Sequence, residues 1–368
     1  MDAKQDFSRG SMAGNILRMA IPMTIAQMVN VLYSVVDRFF IGHIDGASSM
    51  ALTGVGIVFP IISVITAFTN LFGMGGAPLC SIARGRQDLD LAGRIQGSSC
   101  YMLALTAVVL TAIGVLFMRP ILEVFGASPD TYPYARDYFS VYIWGTPFAM
   151  LGLGMNGFIN SQGFGRVGMV TITAGAVVNA VLDPVFIFVL HQGVRGAAIA
   201  TVISQLVSAL WVMKFLTGKR ALIPLRRTQI RWQPEILKDT VQLGFSHFIM
   251  SFTNAVTQFA YNYELRALGG DVLVGAMTVI NSVREVVTMP ANGLTGGAQP
   301  VLGYNYGAGE YRRVKQGILF MTAVCLVYML AAWGLVFVFP HELMGLFTDN
   351  QEPVSYTHLR AHETSAHL

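Results

Sequence analysis

The chain has 368 residues, of which 54% are hydrophobic and only 12% are charged, and its mean hydropathy is +0.55. A soluble domain carries about 25% charged residues, so this chain lacks the polar side chains that a water-exposed surface needs. The formal net charge of +4 does not indicate a nucleic-acid partner, because the basic residues lie between apolar runs, where membrane orientation accounts for them.

Long apolar runs follow one another along the chain. A membrane-spanning helix needs roughly 20 predominantly apolar residues, and about nine runs satisfy this requirement. They cover residues 15–41, 51–79, 98–118, 138–160, 167–190, 196–217, 242–263, 272–302 and 317–339. The fold class predicted from this pattern is an all-α, polytopic integral membrane protein embedded in a lipid bilayer.

Lysine and arginine are unevenly distributed over the predicted loops. The loops after the second, fourth, sixth and eighth spans hold most of them, for example Arg84, Arg86 and Arg94 after the second span. Cytoplasmic loops carry an excess of these residues. The even-numbered loops and the N-terminus are therefore predicted to be cytoplasmic.

Two segments of the chain recur. Gly73–Pro78 is echoed by Gly293–Pro300, and Pro120–Phe125 by Pro340–Phe347, 220 to 222 residues later. Six spans separate the copies, so the two halves face the same way, as in a parallel repeat of two pseudo-symmetric six-helix lobes. We predict an N-terminal lobe over residues 1–225 (spans one to six). A partial C-terminal lobe is expected over 226–353, with spans seven to nine and the start of span ten.

The last residues, 354–368, differ in character from the rest. Val354 to Thr364 correspond to the translation of a nucleotide string that looks like a sequencing-library adaptor. We expect this tail to be non-native, and its histidines not to form a metal site. Since the repeat predicts twelve spans, spans ten to twelve are expected to be absent from the chain.

Polar residues form a stripe on the first predicted span. They are spaced by three or four residues, which places them on one helical face: Gln27, Asn30, Ser34 and Asp37. The seventh span has a similar stripe, formed by Ser251, Asn254, Gln258 and Tyr261, with Asn262 adjacent to it. Because polar groups are costly in lipid, both stripes are predicted to line a central substrate cavity. Amide hydrogen bonds between packed helices are the alternative.

Glu285 in the eighth span is a further candidate for the substrate cavity. Its neighbour Arg284 points in a different direction on a helix, so the two charges do not simply neutralise each other. The alternative for Glu285 is an ion pair with another helix.

Four polar residues of the first, fifth and sixth spans are expected at similar depth in the membrane, from the helical rise of about 1.5 Å per residue. They are Asp37, Asn179, Asp183 and Thr201. Two carboxylates in a low-dielectric pocket cannot easily both ionise without a cation. The pattern therefore predicts an ion-coupling site for a proton or sodium and no other cofactor. A buried polar network with a structural role is the alternative.

Patterns typical of an enzyme are missing from the sequence. Cys80, Cys100 and Cys325 lie inside apolar runs without paired spacing, so neither a disulfide framework nor a zinc site is predicted. His247 has no Glu partner of the metalloprotease kind within the membrane spans. The chain is therefore not expected to be an enzyme or to bind a metal as a resident cofactor.

Several motifs together resemble the multidrug and toxic compound extrusion (MATE) family, in its MepA-like branch. They are Ile21-Pro22, Val36-Asp37-Arg38-Phe-Phe-Ile-Gly42, Asn179-Ala-Val-Leu-Asp183-Pro184 and Gly196-Ala-Ala-Ile-Ala-Thr201. The resemblance implies a twelve-helix, two-lobe exporter in the bacterial inner membrane. It also implies that Asp37 is the main coupling residue, that Asn179, Asp183 and Thr201 complete the cation site, and that Pro22 bends the first helix.

The function implied by this resemblance is secondary active multidrug efflux. Small amphipathic or cationic drugs would leave the cell in exchange for protons or sodium ions, carried by a monomer through alternating access. A lipid-linked oligosaccharide flippase of the same superfamily is the alternative. The amide and hydroxyl groups of the predicted stripes favour small amphipathic substrates.

Overall fold

A computed structural model describes residues 6–44 and 48–338, and all regular elements in these ranges are helical, which confirms the predicted all-α class. The predicted tail 354–368 and the start of the tenth span lie outside the described residues. The helices are α1 (Met12–Gly42), α2 (Ser48–Gly85), α3 (Leu89–Leu116), α4 (Met118–Val124), α5 (Tyr132–Ser161), α6 (Gly165–Pro184), α7 (Gly193–Thr217), α8 (Pro234–Gly307) and α9 (Tyr311–Val338).

Length and hydropathy together identify membrane spans within these helices. Six described segments are long and apolar enough to cross a membrane, in α1, α2, α3, α7, α9 and in α6 with the turn that follows it. Large apolar side chains on α1, such as Leu32 and Phe39, are more than half exposed. In a bilayer such apolar surfaces face the lipid chains, so they are compatible with a stable protein only in a membrane.

The second and third helices are longer than the sequence predicted. The helix α2 ends at Gly85 and α3 begins at Leu89, so Arg84 and Arg94 lie on helices, and the prediction of a loop at these residues is wrong. Arg84 is fully buried. Hydropathy did not predict that the helix continues past Arg84. An arginine lowers the mean hydropathy of a segment even where neighbouring groups surround its charge.

The seventh and eighth predicted spans belong to one continuous helical stretch, α8, of 74 residues. A Cβ on Gly75 of α2 would lie 2.1 Å from the Thr240 carbonyl, and one on Gly307 would lie 2.0 Å from the Ile82 carbonyl. Thr240 and Gly307 would be roughly 100 Å apart in a straight helix, whereas Gly75 and Ile82 are separated by only about 10 Å. The backbone of α8 must therefore reverse its direction, as two antiparallel spans require.

The two recurring glycine-rich segments mediate close helix packing. A Cβ added to Gly73 would lie only 2.9 Å from the Cα atom of Gly154, and one added to Gly297 would collide with the backbone of Ala20. Only a glycine allows two helical backbones to approach so closely. These contacts set the distances within the N-terminal half and between the two halves.

The two halves of the chain approach each other at one end of the helices. On α1 the contacts involve Ala20 and Thr24, which lie in its first half and face Gly297 and Gly293 of α8. On α2 they involve the stretch from Leu71 to Gly85, in its second half. The first half of α1 and the second half of α2 lie at the same end of the bundle, so this end is closed.

Candidate cation-coupling site

The candidate site is built at the other end, where α1, α6 and α7 meet. Asn179 and Asp183 lie one turn apart on α6 and are both fully buried, while Thr201 of α7 is 3% exposed and Asp37 of α1 is 5% exposed. The four predicted residues are thus brought into one buried cluster. Their role in cation coupling stays a prediction.

A break in the helix follows this cluster directly. Pro184 ends α6, and a five-residue π-helix, Val185–Val189, follows it. Within the π-helix the Leu190 amide donates a hydrogen bond to the Val185 carbonyl, five residues earlier, at 2.9 Å. Proline cannot donate a backbone hydrogen bond, and π-turns often occur at functional sites. The backbone next to Asp183 therefore departs from regular α-helical geometry.

The side-chain amide of Asn179 links the members of the cluster. Its Nδ2 donates to Oδ1 of Asp183 at 3.1 Å and to Oγ1 of Thr201 at 3.4 Å. The carboxyl groups of Asp37 and Asp183 lie within hydrogen-bonding reach of each other. The Nδ2 of Asn179 thus has a partner for each of its two hydrogens, and Oδ1, which can only accept, remains as an acceptor in the site.

Two acceptor atoms of the cluster have no hydrogen-bond partner among the described residues, Oδ1 of Asn179 and Oδ2 of Asp183. Leaving a buried acceptor unsatisfied is unfavourable by roughly 1–3 kcal/mol. Oxygen atoms from carboxylates, an amide and a hydroxyl are the ligands that hard cations prefer, and a carboxylate pair can alternatively share a proton. The donor set therefore fits either coupling ion.

Tyrosines that the sequence analysis did not select complete the surroundings of the site. The hydroxyls of Tyr33 of α1 and Tyr138 of α5 lie within hydrogen-bonding reach of Thr201. Tyr138 stacks on Tyr142, with ring centroids 5.9 Å apart. The spacing of Tyr138 and Tyr142 by one helical turn was a usable signal, but aromatic residues are common in apolar spans and the pair did not stand out.

The other predicted residues are placed as follows. Pro22 is buried inside α1. Gln27 and Asn30 are exposed on the half of α1 that leads towards Asp37, and on α8 Ser251 is half-buried and Asn254 is exposed. The side chains of Ser34, Gln258, Asn262 and Glu285 lie outside the described part of the structure. Lining of a substrate cavity by these residues stays a prediction.

Within residues 6–44 and 48–338 no group of three or more His, Cys, Asp or Glu side chains is placed to hold a metal ion. The three cysteines are free thiols, with Cys80 and Cys100 buried. Cation binding in this region is thus assigned to the carboxyl groups of Asp37 and Asp183 together with the neutral oxygen atoms of Asn179 and Thr201.

Comparison with known proteins gives consistent matches. A family model described as MatE matches residues 22–185 and 247–361. The multidrug export protein MepA of Staphylococcus saprophyticus is 27% identical over 346 residues, which cover 94% of this chain and 75% of that protein.

Solved structures share the fold. A crystal structure of MATE in complex with MaL6 has a TM-score of 0.89 at 24% identity and covers 96% of this chain and 78% of the other. A MOP superfamily transporter from Pyrococcus furiosus, whose binding pocket is described as having reverse polarity, has a TM-score of 0.87 at 24% identity. The match covers 96% of this chain and 77% of that one.

Proposed function

The chain belongs to the MatE family, and from this premise we propose that it is a secondary active multidrug exporter of the bacterial inner membrane. The resemblance noted in the sequence motifs is thereby confirmed. The proposed activity is the export of small amphipathic or cationic compounds in exchange for protons or sodium ions, and its multidrug character follows the similarity to the MepA export protein.

The observation that carries the proposal is the buried cluster around Asp183. Asp37 and Asp183 face each other. The Oδ2 of Asp183 can take up a proton, and together with Oδ1 of Asn179 it can coordinate a sodium ion. A cation that enters this cluster reduces the repulsion between the two carboxyl groups, and its release restores that repulsion. An ion can drive a transport cycle only if it binds two conformations with different affinity.

The helix α1 is the element that can transmit this change. It carries Asp37 near its end and Pro22 in its interior, where proline removes one backbone hydrogen bond and weakens the helix against bending. Gln27 and Asn30 lie between the two and are exposed. Binding or release of an ion at Asp37 therefore acts on α1, the same helix that carries the predicted polar stripe of the substrate cavity.

The opposite end of the bundle is closed by a cluster around Arg84. Its Nη1 donates to the Ser161 carbonyl at 2.9 Å, and its guanidinium lies 5.1 Å from the Phe7 ring centroid and 4.8 Å from that of Tyr304. Arg313 of α9 donates to the carbonyl of Phe7 at 3.0 Å. We assign this end to the cytoplasmic side and the N-terminus to the cytoplasm, so the structure is closed on the side that we take to be cytoplasmic.

The proposed function is tested by transport in proteoliposomes with a proton gradient and a sodium gradient imposed separately. We expect a fluorescent amphipathic cation to accumulate against its concentration gradient with at least one of the two ions. Accumulation with neither ion, or movement of a lipid-linked oligosaccharide without any gradient, would contradict the proposal. The second result would favour a flippase instead.

A further inference from the structure

The segment that joins the two halves, residues 218–233 between α7 and α8, is a fixed structure rather than a flexible linker; we call it the strap. Its side chains alternate, with Ala221, Ile223 and Leu225 buried at 9%, 2% and 6% exposure. The Leu225 amide also donates to the Leu216 carbonyl of α7 at 2.8 Å. The strap thus packs an apolar edge against the N-terminal half.

Buried amide side chains anchor the strap at its centre. Gln162, at the end of α5, accepts from the Ile223 amide at 3.0 Å and donates to the Ile223 carbonyl at 3.4 Å. It also donates to Oε1 of Gln96 on α3 at 3.2 Å. A side-chain amide that pairs with both polar groups of one residue holds that residue in register.

The end of the strap is anchored as well. Gln229 lies directly on α3, where a Cβ on Gly97 would be 2.3 Å from the Gln229 carbonyl. Arg94 of α3 donates through its Nε to Oε1 of Gln233 at 2.8 Å. Both ends and the centre are therefore attached to the same half of the molecule.

The outward side of the strap is strongly basic. Its five cationic side chains are all exposed, and they are Lys219, Arg220, Arg226, Arg227 and Arg231. Residues 218–233 contain no aspartate or glutamate. The exposed Trp232, at 54% exposure, stands next to Arg231, and tryptophan is enriched at the boundary between membrane and water.

The strap is also confined to the neighbourhood of the bilayer. It begins directly after α7, which ends at Thr217, and it leads into α8 at Pro234. Fixed charges this close to a membrane surface act within the screening length, which is about 8–10 Å at physiological salt. A solution polyanion would have to compete with lipid headgroups that are always present at this surface.

We propose that the strap is a binding surface for the headgroups of anionic phospholipids, such as phosphatidylglycerol, in the leaflet next to it. The rigid backbone presents several cations at fixed positions, and Trp232 inserts at headgroup level beside them. Juxtamembrane clusters of Lys and Arg recognise anionic lipids in this way. The surface fixes the N-terminal half relative to the membrane while the other half moves; the assignment to the cytoplasmic leaflet rests on the proposed function and orientation.

The test compares two triple variants in nanodiscs that contain about three parts of phosphatidylcholine to one part of phosphatidylglycerol. The strap variant is Arg226→Gln, Arg227→Gln and Arg231→Gln. The matched control is Arg86→Gln, Arg312→Gln and Lys315→Gln. It removes three exposed cations from the residue after α2 and from the start of α9, which are predicted to lie on the same side. Phosphatidylglycerol that stays bound after extraction into detergent is counted by native mass spectrometry.

We expect the strap variant to retain about threefold less phosphatidylglycerol than the unmodified protein, and the control to change by less than about half of that. Melting temperatures in pure phosphatidylcholine should be equal, which shows that the variants are folded. Equal retention by the two variants, or an equal loss in both, would overturn the proposal. Because nanodiscs expose both leaflets and need no transport, failure of the proposed function or orientation would not affect this result.

Discussion

Two buried charges at opposite ends of the N-terminal half are surrounded in different ways. Arg84 is enclosed by the Ser161 carbonyl and by the ring faces of Phe7 and Tyr304. Asp183 is equally buried, but its Oδ2 has no hydrogen-bond partner among the described residues. A buried charge with complementary groups around it favours one conformation, whereas a buried charge with a free acceptor can change its occupancy. The first arrangement suits a closure between helices, and the second suits an ion site.

The largest effect is expected at the aspartate pair. Asp37→Asn keeps the size and hydrogen-bonding capacity of the side chain but cannot alternate between charged and neutral forms, so ion-driven accumulation of substrate should fall to background. Asp183→Asn should have a similar effect. The measurement is uptake into proteoliposomes under an imposed gradient, with substrate binding followed separately and expected to persist.

The matched control for the aspartate pair is Asp90→Asn, which removes an exposed carboxylate in the first turn of α3 and should leave transport unchanged. If Asp37→Asn still concentrates substrate at the unmodified rate, the coupling model is wrong. The difference between the surroundings of Arg84 and those of Asp183 would then not reflect a difference in function.

The second prediction concerns Arg84. Arg84→Lys keeps the charge but loses the planar guanidinium that lies over the Phe7 and Tyr304 rings, so the stability of the protein should fall by about 2 kcal/mol. The measurement is the melting temperature in detergent. Asp183→Asn serves as the contrast and should not lower the melting temperature, since it removes a buried charge that is incompletely paired. An unchanged melting temperature for Arg84→Lys would show that the closed end of the bundle does not depend on the contact of the guanidinium with the Phe7 and Tyr304 rings.

A smaller effect is expected from Thr201→Ala. The substitution removes one hydroxyl from the cluster, and a single lost hydrogen bond of about 1 kcal/mol corresponds to a roughly fivefold weaker ion affinity. The ion concentration for half-maximal transport should rise accordingly, while the maximal rate is retained. Thr217→Ala, in the exposed last turn of the same helix, should not change this concentration. Complete loss of transport in Thr201→Ala would mean that the hydroxyl has a larger role than that of one ligand.

The smallest effect is expected at Asp6, which lies outside the membrane spans next to the Arg84 cluster. The hydrogen bond from the Ser8 side chain is the main cause that holds the pKa of Asp6 below its usual value of 3.8. The Ser8 backbone amide, Tyr304 and the charge of Arg9 add to it, and together they outweigh the opposing effect of burial. A lowered pKa in the folded state stabilises the protein above the unfolded pKa, and this contribution is lost as the pH falls through the folded value.

Asp6→Asn should therefore lower the melting temperature slightly at neutral pH. The difference from the unmodified protein should begin to shrink as the pH falls towards 3.8 and should vanish only below the lowered pKa of the folded state. Melting curves recorded as a function of pH provide the measurement. A difference that grows towards acidic pH would contradict the role assigned to the Asp6 carboxylate.

Sequence alone determined the class of the protein and much of the candidate site. Hydropathy and span length are local properties, so most of the helices could be located from the sequence, although one end of α2, α3, α5 and α9 lies six to nine residues outside the predicted span. Asn179 and Asp183 are one helical turn apart, and their shared face follows directly from helix periodicity. The motifs around Asp37 and Thr201 added the family resemblance, which placed the four residues in one site.

The tertiary structure alone decided which distant residues surround these groups. Tyr138 lies next to Thr201, and Phe7 and Tyr304 enclose Arg84, although these partners are separated by tens to hundreds of positions in the chain. The anchoring of Ile223 by Gln162 is likewise a contact between different elements. Periodicity describes which residues share a face of one helix, but it does not specify which helix that face meets. That choice depends on packing of all the helices together, where close approach at a few glycines sets the distances between them.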